Sequence, residues 1–338
     1  MRALKPCDGS TSIAALALLL LMTAVAMGEA FLLQGALSYT ARSTRRQEVE
    51  FSLQAEAERV VKLLARDPTP GADCIQDPVW EKLRDNVAQG FVVTLQDVSS
   101  RLNANWVQKD ILQKTALADL LQPGSTAQDL RQRREDKGLS TDLPREYGDL
   151  IRKEAIARYF TGYGYANLNT TDEFALRKLY SIRTGDHAGA EVFHTRWQDG
   201  VTQKKTLKRG DVKDLLGQDY AELYPFMNVE PTFNVHFIEP LILAELLSLS
   251  DLKIQHPALA AQRIIEARDH LELTMGALQG LIGAAGDNRI YQYLGVITWF
   301  WRVIVVRGSA QLHVTVARIP SDDDVSPRFS VLEERYLP

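Results

Sequence analysis

Hydrophobic positions follow two regimes along this chain. From Ser10 to Gly28 (STSIAALALLLLMTAVAMG) every residue is uncharged and most are apolar, with Asp8 and Glu29 as the flanking charges. As a helix rising about 1.5 Å per residue, this run covers roughly 28 Å, close to the hydrocarbon thickness of a bilayer. Further on the pattern becomes one-sided. Val49, Leu53, Ala57, Val60 and Leu64 recur at helical spacing on one face, and Arg46, Glu50, Gln54, Glu58 and Lys62 occupy the other. Asp67-Pro68 and Pro70-Gly71 stop the pattern, and between Ser10 and Ala65 only Gly28 and Gly35 interrupt it. One helix of about 50 residues is predicted, apolar all round in its first half and amphipathic in its second.

Beyond this helix, strand signals sit near the two ends of the remaining chain. Phe91–Gln96 is β-branched and bounded by Gly90 and Asp97, while Trp299–Val306 and Gln311–Ile319 are joined by Arg307-Gly308-Ser309-Ala310 with hairpin chemistry. In the second of these, Leu312, Val314 and Val316 alternate with His313 and Thr315, giving one buried and one wetter face. Arg328–Leu332 is a last short candidate. Between the strands the pattern is helical, over Ile111–Leu121, Tyr147–Tyr159, Asp172–Tyr180, Ile238–Leu249, Ala258–His270 and Met275–Ile282. This predicts an α+β fold: a long N-terminal membrane or spine helix, a head with antiparallel strands, and a large, mainly helical insertion. The corresponding boundaries are residues 1–9, a leader; 10–66, the helix; 67–105, the first part of the head; 106–286, the insertion; and 287–338, the strands that complete the head.

The apolar run admits three readings. Arg2 and Lys5 with Ala24-Val25-Ala26 fit a cleaved secretory signal, a plain single-pass anchor is the second, and the third is a type IV prepilin-like leader ending at Gly9. The amphipathic continuation favours the third, because a cleaved signal does not predict it.

An internal repeat runs through the middle. Asn103-Ala-Asn105-Trp-Val-Gln108, Asn167-Leu-Asn169-Thr170-Thr-Asp172 and Asn234-Val-His236-Phe-Ile-Glu239 share one pattern, with Leu112, Leu176 and Leu243 four residues beyond. Such a unit suits a chain entering a helix, where a polar side chain accepts bonds from free amides and an acid or amide closes a capping box. Thr170-x-x-Glu173 and Asn105-x-x-Gln108 fit that box, so these residues read as structural.

Composition removes several classes of function. The 338 residues carry a net charge of −4, against a general nucleic-acid binder, and two cysteines, Cys7 and Cys74, exclude a disulfide scaffold. Six histidines show no zinc spacing; His187 and His194, near Asp186 and Glu191, read as a Gly-rich loop. No nucleophile-elbow, Walker A or Rossmann motif stands in a credible context, so no enzyme is expected. Arg131-Gln-Arg-Arg134 and Lys204-Lys205-x-x-Lys208-Arg209 read as solvated charge, and Trp299, Phe300 and Trp301 as core.

The layout resembles the type II secretion minor pseudopilin K family over nearly the whole chain. Gly9-Ser10 looks like the leader cleavage point and Asp97–Asn105 like the aspartate–asparagine stretch after the first head strand. Asn167-Leu-Asn169-Thr170 and Asn234-Val-His236 look like the motifs of the insertion. Pro257–Arg268 followed by Leu278 resembles its helical repeat, and Tyr293–Val303 the strand that re-enters the head. Ala14 takes the fifth mature position, where major pilins carry a glutamate that pairs with a neighbour's N-terminal amine, and K proteins similarly lack it. Phenylalanine is the usual first mature residue, and Ser10 departs from that.

The resemblance implies a subunit held in the bacterial inner membrane by a single span, its head in the periplasm, at the tip of a pseudopilus. Its partners would be the minor pseudopilins I and J, the major pseudopilin and the prepilin peptidase. It also implies calcium in the head, for which Asp322, Asp323 and Asp324 are the candidate ligands, although a solvated acidic loop is the plainer reading. The alternative is an anchored or signal-bearing periplasmic binding protein. A helix-hairpin-helix DNA-uptake protein fits less well, because the segment from Leu249 to Pro257 has no glycine hairpin and the net charge is negative.

Overall fold

The structure, a computed structural model, describes residues 8–86, 88, 90–106, 109–283, 288–320 and 327–337. The chain divides into two units, Met1–Ala55 and Glu56–Pro338.

Helix α1 (Asp8–Leu64) is unbroken. In its apolar half the hydroxyls fold back on the helix: Thr23 Oγ1 donates to Leu19 O at 2.6 Å, Ser38 Oγ to Gln34 O at 2.7 Å and Thr40 Oγ1 to Ala36 O at 2.9 Å. Each of these three hydroxyls is thereby satisfied without water, the condition a polar group must meet in hydrocarbon. From Leu16 to Leu37 the large apolar side chains are exposed, whereas Leu53, Ala57, Val60 and Leu64 of the one-sided stripe are buried.

In the second unit, β1 (Val92–Asp97) leads into six two-residue strands: β2 (Leu102–Asn103), β3 (Phe160–Thr161), β4 (Ala166–Asn167), β5 (Met227–Asn228), β6 (Phe233–Asn234) and β7 (Leu294–Gly295). The chain then forms β8 (Phe300–Arg307), β9 (Ala310–Ile319) and β10 (Arg328–Leu337). Strands β1, β8, β9 and β10 make one antiparallel sheet in that order. Arg307 and Ala310 are its last hairpin pair, so Gly308-Ser309 is a two-residue loop, and Gly308 takes the positive φ of 62° that such turns require. The last strand runs five residues beyond the expected Leu332, to Leu337. As an edge strand it is mostly exposed, and a bulge between Val331 and Glu333 breaks the alternation that would have revealed it.

The register gives this sheet two chemically different faces. Leu95, Val303 and Val314 align on one, and Gln96, Arg302, Thr315 and Glu333 on the other. Trp299, Phe300 and Trp301 are buried.

Between β1 and β8 the chain makes three similar units, each opened and closed by a parallel pair: β2 with β3, β4 with β5, β6 with β7. They repeat at intervals of roughly 65 residues, each a short strand, a polar turn, several helices and a closing strand. Helices of the first and third units share a core that includes Leu112, Leu130, Tyr147, Leu243, Leu246 and Ile264, while the second has its own around Leu176, Phe193, Val212 and Met227.

The helices differ in places from the pattern. The expected Ile111–Leu121 is two turns, Lys109–Leu112 and Thr115–Ala118, and the expected Tyr147–Tyr159 is Leu143–Tyr147 and Lys153–Tyr159. Leu121, just past the first of these, and Ile151, in the gap of the second, bridge to one another, so backbone pairing takes the place of helix there. Ala127–Lys137 and His187–Lys204 are further helices that weak periodicity concealed, and Arg209–Leu216 is another, amphipathic but only eight residues long. The segment holding His187 and His194 is therefore helix and not a Gly-rich loop. Asp186 caps it by accepting from Gly189 N at 2.8 Å, and a Cβ at Gly189 would lie 2.4 Å from Asp186 Oδ2.

Candidate functional site

The three N-x-[N/H] turns have the same geometry. The first asparagine accepts from the amide two residues on: Asn103 Oδ1 from Asn105 N at 2.9 Å, Asn167 Oδ1 from Asn169 N at 2.8 Å, Asn234 Oδ1 from His236 N at 3.0 Å. The middle residue then bonds to the closing strand: Ala104 N to Thr161 O, Leu168 N to Asn228 O and Val235 N to Gly295 O. The third reaches a distant loop in both directions. Asn105 accepts from Ser140 N and donates to Ser140 O, and Asn169 does the same with Leu207. His236 Nε2 accepts from Leu273 N at 3.1 Å. Burial, then the nearby Arg268 charge, outweigh the Leu273 carbonyl and hold the His236 pKa below its ordinary value.

These asparagines therefore close units as well as opening helices. The cap of Glu173–Thr184 is Asp172, which accepts from Ala175 N at 2.9 Å, so the expected Thr170-x-x-Glu173 box is not the cap. Thr170 is buried in the turn, and Glu173 Oε2 instead lies 3.2 Å from His194 Nε2. Gln108, the other expected box partner, lies outside the described residues.

A long donor locks the turn carbonyls. Arg134 Nη1 donates to Asn105 O at 3.1 Å, Trp197 Nε1 to Leu168 O at 2.8 Å and Arg268 Nη1 to Val235 O at 3.0 Å. Arg134 is buried and also meets Asp172 at 3.1 Å, which corrects the reading of Arg131–Arg134 as solvated charge. The second basic run is paired as well, Lys204 with Asp211 and Arg209 with Glu230.

The third turn joins a buried polar hub. Asn234 Nδ2 donates to Asp73 O at 2.8 Å and to Thr298 Oγ1 at 2.9 Å, and Asn234 N donates to Ser100 Oγ at 2.8 Å. Thr298 in turn donates from N to Asp73 Oδ2 at 2.6 Å and from Oγ1 to Asp97 Oδ2 at 3.0 Å. Asp97 Oδ1 also accepts from Ser99 N and Ser100 N, and Arg318 Nη1 lies 3.2 Å from Asp73 Oδ2. The hub ties the loop after α1, the end of β1, the third unit and β9 to one point. Burial pushes Asp97 up against the opposing pull of its serine bonds, and pushes Asp73 to about 7 against that of Arg318. Ser99 Oγ and Ser100 Oγ also donate to the Asp97 carboxylate, and the whole arrangement fixes the sheet to the repeats. Asp73, Thr298 and Arg318 carry no local motif, and only the tertiary fold brings them together.

Asp67, Asp73 and Asp77 converge nearby, with one ligand-capable oxygen from each within 4.8 Å of the others. Oxygen donors of this kind suit calcium, but Arg318 already supplies a cation to Asp73. The expected candidates Asp322, Asp323 and Asp324 lie outside the described residues. Gly9, Ser10 and Ala14 lie in the first turns of α1. Among the described residues, α1 is the one helix long and apolar enough to cross a membrane.

No protein-family model matches the sequence. No curated protein matches it either. Among solved structures, one chain of the crystal structure of the GspK-GspI-GspJ complex from the type 2 secretion system of enterotoxigenic Escherichia coli resembles it. The two share 15% identity over 88% of this chain and 98% of that chain, with a TM-score of 0.37.

Proposed function

We propose that this chain is a minor pseudopilin of the K type, placed at the tip of a periplasmic pseudopilus in type II protein secretion. The observation that carries the reading is the continuity of α1: it runs from Asp8 to Leu64 without a break, exposing apolar side chains in its first half and burying a stripe in its second. A secretory signal needs only the first half. The resemblance of the Gly9-Ser10, Asp97–Asn105, Asn167–Thr170 and Asn234–His236 stretches to the K family adds support.

On this reading the chain enters the inner membrane with its N-terminus cytoplasmic and its head periplasmic. Prepilin peptidase cuts after Gly9, and Ser10 becomes the methylated first residue. Ala14 offers no carboxylate to the amine of a subunit above, which suits a tip position. The head contacts the I- and J-type minor pseudopilins, with the major pseudopilin below, and the protein is not an enzyme. Mass spectrometry of the mature N-terminus tests the proposal. A chain beginning at Ser10 supports it, and one beginning near Met27 overturns it. Gly9→Val should leave the leader attached.

A further inference from the structure

A groove of about 820 Å³ lies between the polar face of the sheet and the first helical unit. Its lining is strongly basic: Arg101, Lys153, Arg302 and Arg335, with His313 beside them. Arg302 is half-buried on β8, and Arg335 lies on β10, one row along the same sheet face. Among the described residues neither makes an ion pair, and the Arg302 guanidinium lies 5.6 Å from the centre of the Tyr163 ring. Arg101 spends a guanidinium nitrogen on Ala157 O at 2.8 Å.

These cations also destabilise one another. Burial and then the Arg302 charge lower the Arg101 pKa, against a weaker pull from Asp97 and Glu239. Burial and then Arg335 lower that of Arg302. Like charges facing one another, two of them half-buried, are held at a cost, which an incoming anion lowers.

The arrangement of the charges selects the anion. The arginines come from different elements: Arg302 and Arg335 are separated by strand β9 and by one row of the sheet, and Arg101 lies in the loop after β1. Asp142 and Glu333 on the same lining would repel a continuous phosphate backbone, and Val98, Ile156 and Phe160 give the floor apolar ground. Spaced carboxylates on a chain with intervening apolar groups fit both features. We infer that this groove is a docking site for an acidic segment of a partner polypeptide, with Arg302 and Arg335 as its principal contacts. The site does not depend on how the N-terminus is processed, so it stands apart from the pseudopilin proposal.

The test is fluorescence anisotropy of a fluorescein-labelled oligoglutamate peptide titrated with the full chain in detergent micelles, with oligoserine as control. Wild type should bind oligoglutamate and not oligoserine, with affinity falling as salt rises. Arg335→Gln, at an exposed position, and Arg302→Gln should each weaken binding about tenfold. The triple change Arg42→Gln, Arg45→Gln, Arg46→Gln on α1 should leave it unchanged. Absence of wild-type binding, equal binding by the Arg335→Gln protein, or displacement of the peptide by inorganic phosphate at matched ionic strength would each overturn the inference. Should Arg302→Gln fail to fold by circular dichroism, the exposed Arg335 variant decides alone.

Discussion

The side-chain amide of Asn167 donates to the backbone carbonyl of Gln292 at 2.9 Å, joining residues 125 positions apart. The same nitrogen reaches Glu230 O at 2.7 Å, so one buried group ties the opening of the second unit to the closing regions of the second and third. Asn103, at the corresponding place in the first unit, has no partner for its Nδ2 among the described residues, and that nitrogen packs against Gly164.

This asymmetry predicts unequal costs. Asn167→Ala removes three bonds and strands two buried carbonyls, and should destabilise the protein by roughly 2–4 kcal/mol. Asn103→Ala forfeits one satisfied bond and should cost about 1 kcal/mol. Urea denaturation of the two variants, read by tryptophan fluorescence, checks the order; equal losses would refute it.

Arg134 and Arg131 share one helix but differ in environment. Arg134→Met leaves Asn105 O and one oxygen of Asp172 without their donor, and should cost about 2–3 kcal/mol. Arg131, half-exposed and paired with Glu135 at 3.0 Å, should be replaceable by alanine within about 0.5 kcal/mol. Paired thermal melts would show the contrast.

Stability should also carry a pH signature from Asp77. Burial, then the negative charges of Asp67 and Glu272, push its pKa to about 6 against the opposing Val79 amide bond. A carboxyl raised above its unfolded value stabilises the fold fully below that unfolded value, and the contribution is lost as pH rises through the folded value. The window runs from about pH 4 to about pH 6. The stability difference between wild type and Asp77→Asn should therefore shift against wild type across it. A difference that stays constant in urea midpoints would reject the assignment.

A charge in the exposed apolar half of α1 should expel it from a bilayer. Leu20→Glu places a carboxylate near the middle of the run, at a cost of about 2.5 kcal/mol or more at the centre of a spanning helix. Carbonate extraction of membranes should release more of this variant than of wild type, whereas Thr44→Glu, outside the run, should behave as wild type.

The sequence makes the elements with periodic or turn chemistry legible. α1, the β8–β9 hairpin and the polar turns all have local causes: an apolar run, a glycine at positive φ, an asparagine bonding two residues ahead. Arg134 reads as surface charge in the sequence because its neighbours Arg131 and Arg133 are surface residues and nothing local separates them. The hub is opaque for a stronger reason. Asp73, Asp97, Thr298 and Arg318 come from separate stretches and acquire meaning only once the three units have closed. The basic groove shares this property, since strand register and not any motif places Arg302 and Arg335 on one sheet face.

The parallel pairs that close the units bring each entrance and exit side by side. β1 hands the chain to β2, and β7 returns it to β8, the strand that pairs with β1. The sheet therefore meets the same two chain ends whatever lies between them. A fold organised this way can change size in whole units, as a shelf takes more or fewer books, without redrawing the strands that hold it together.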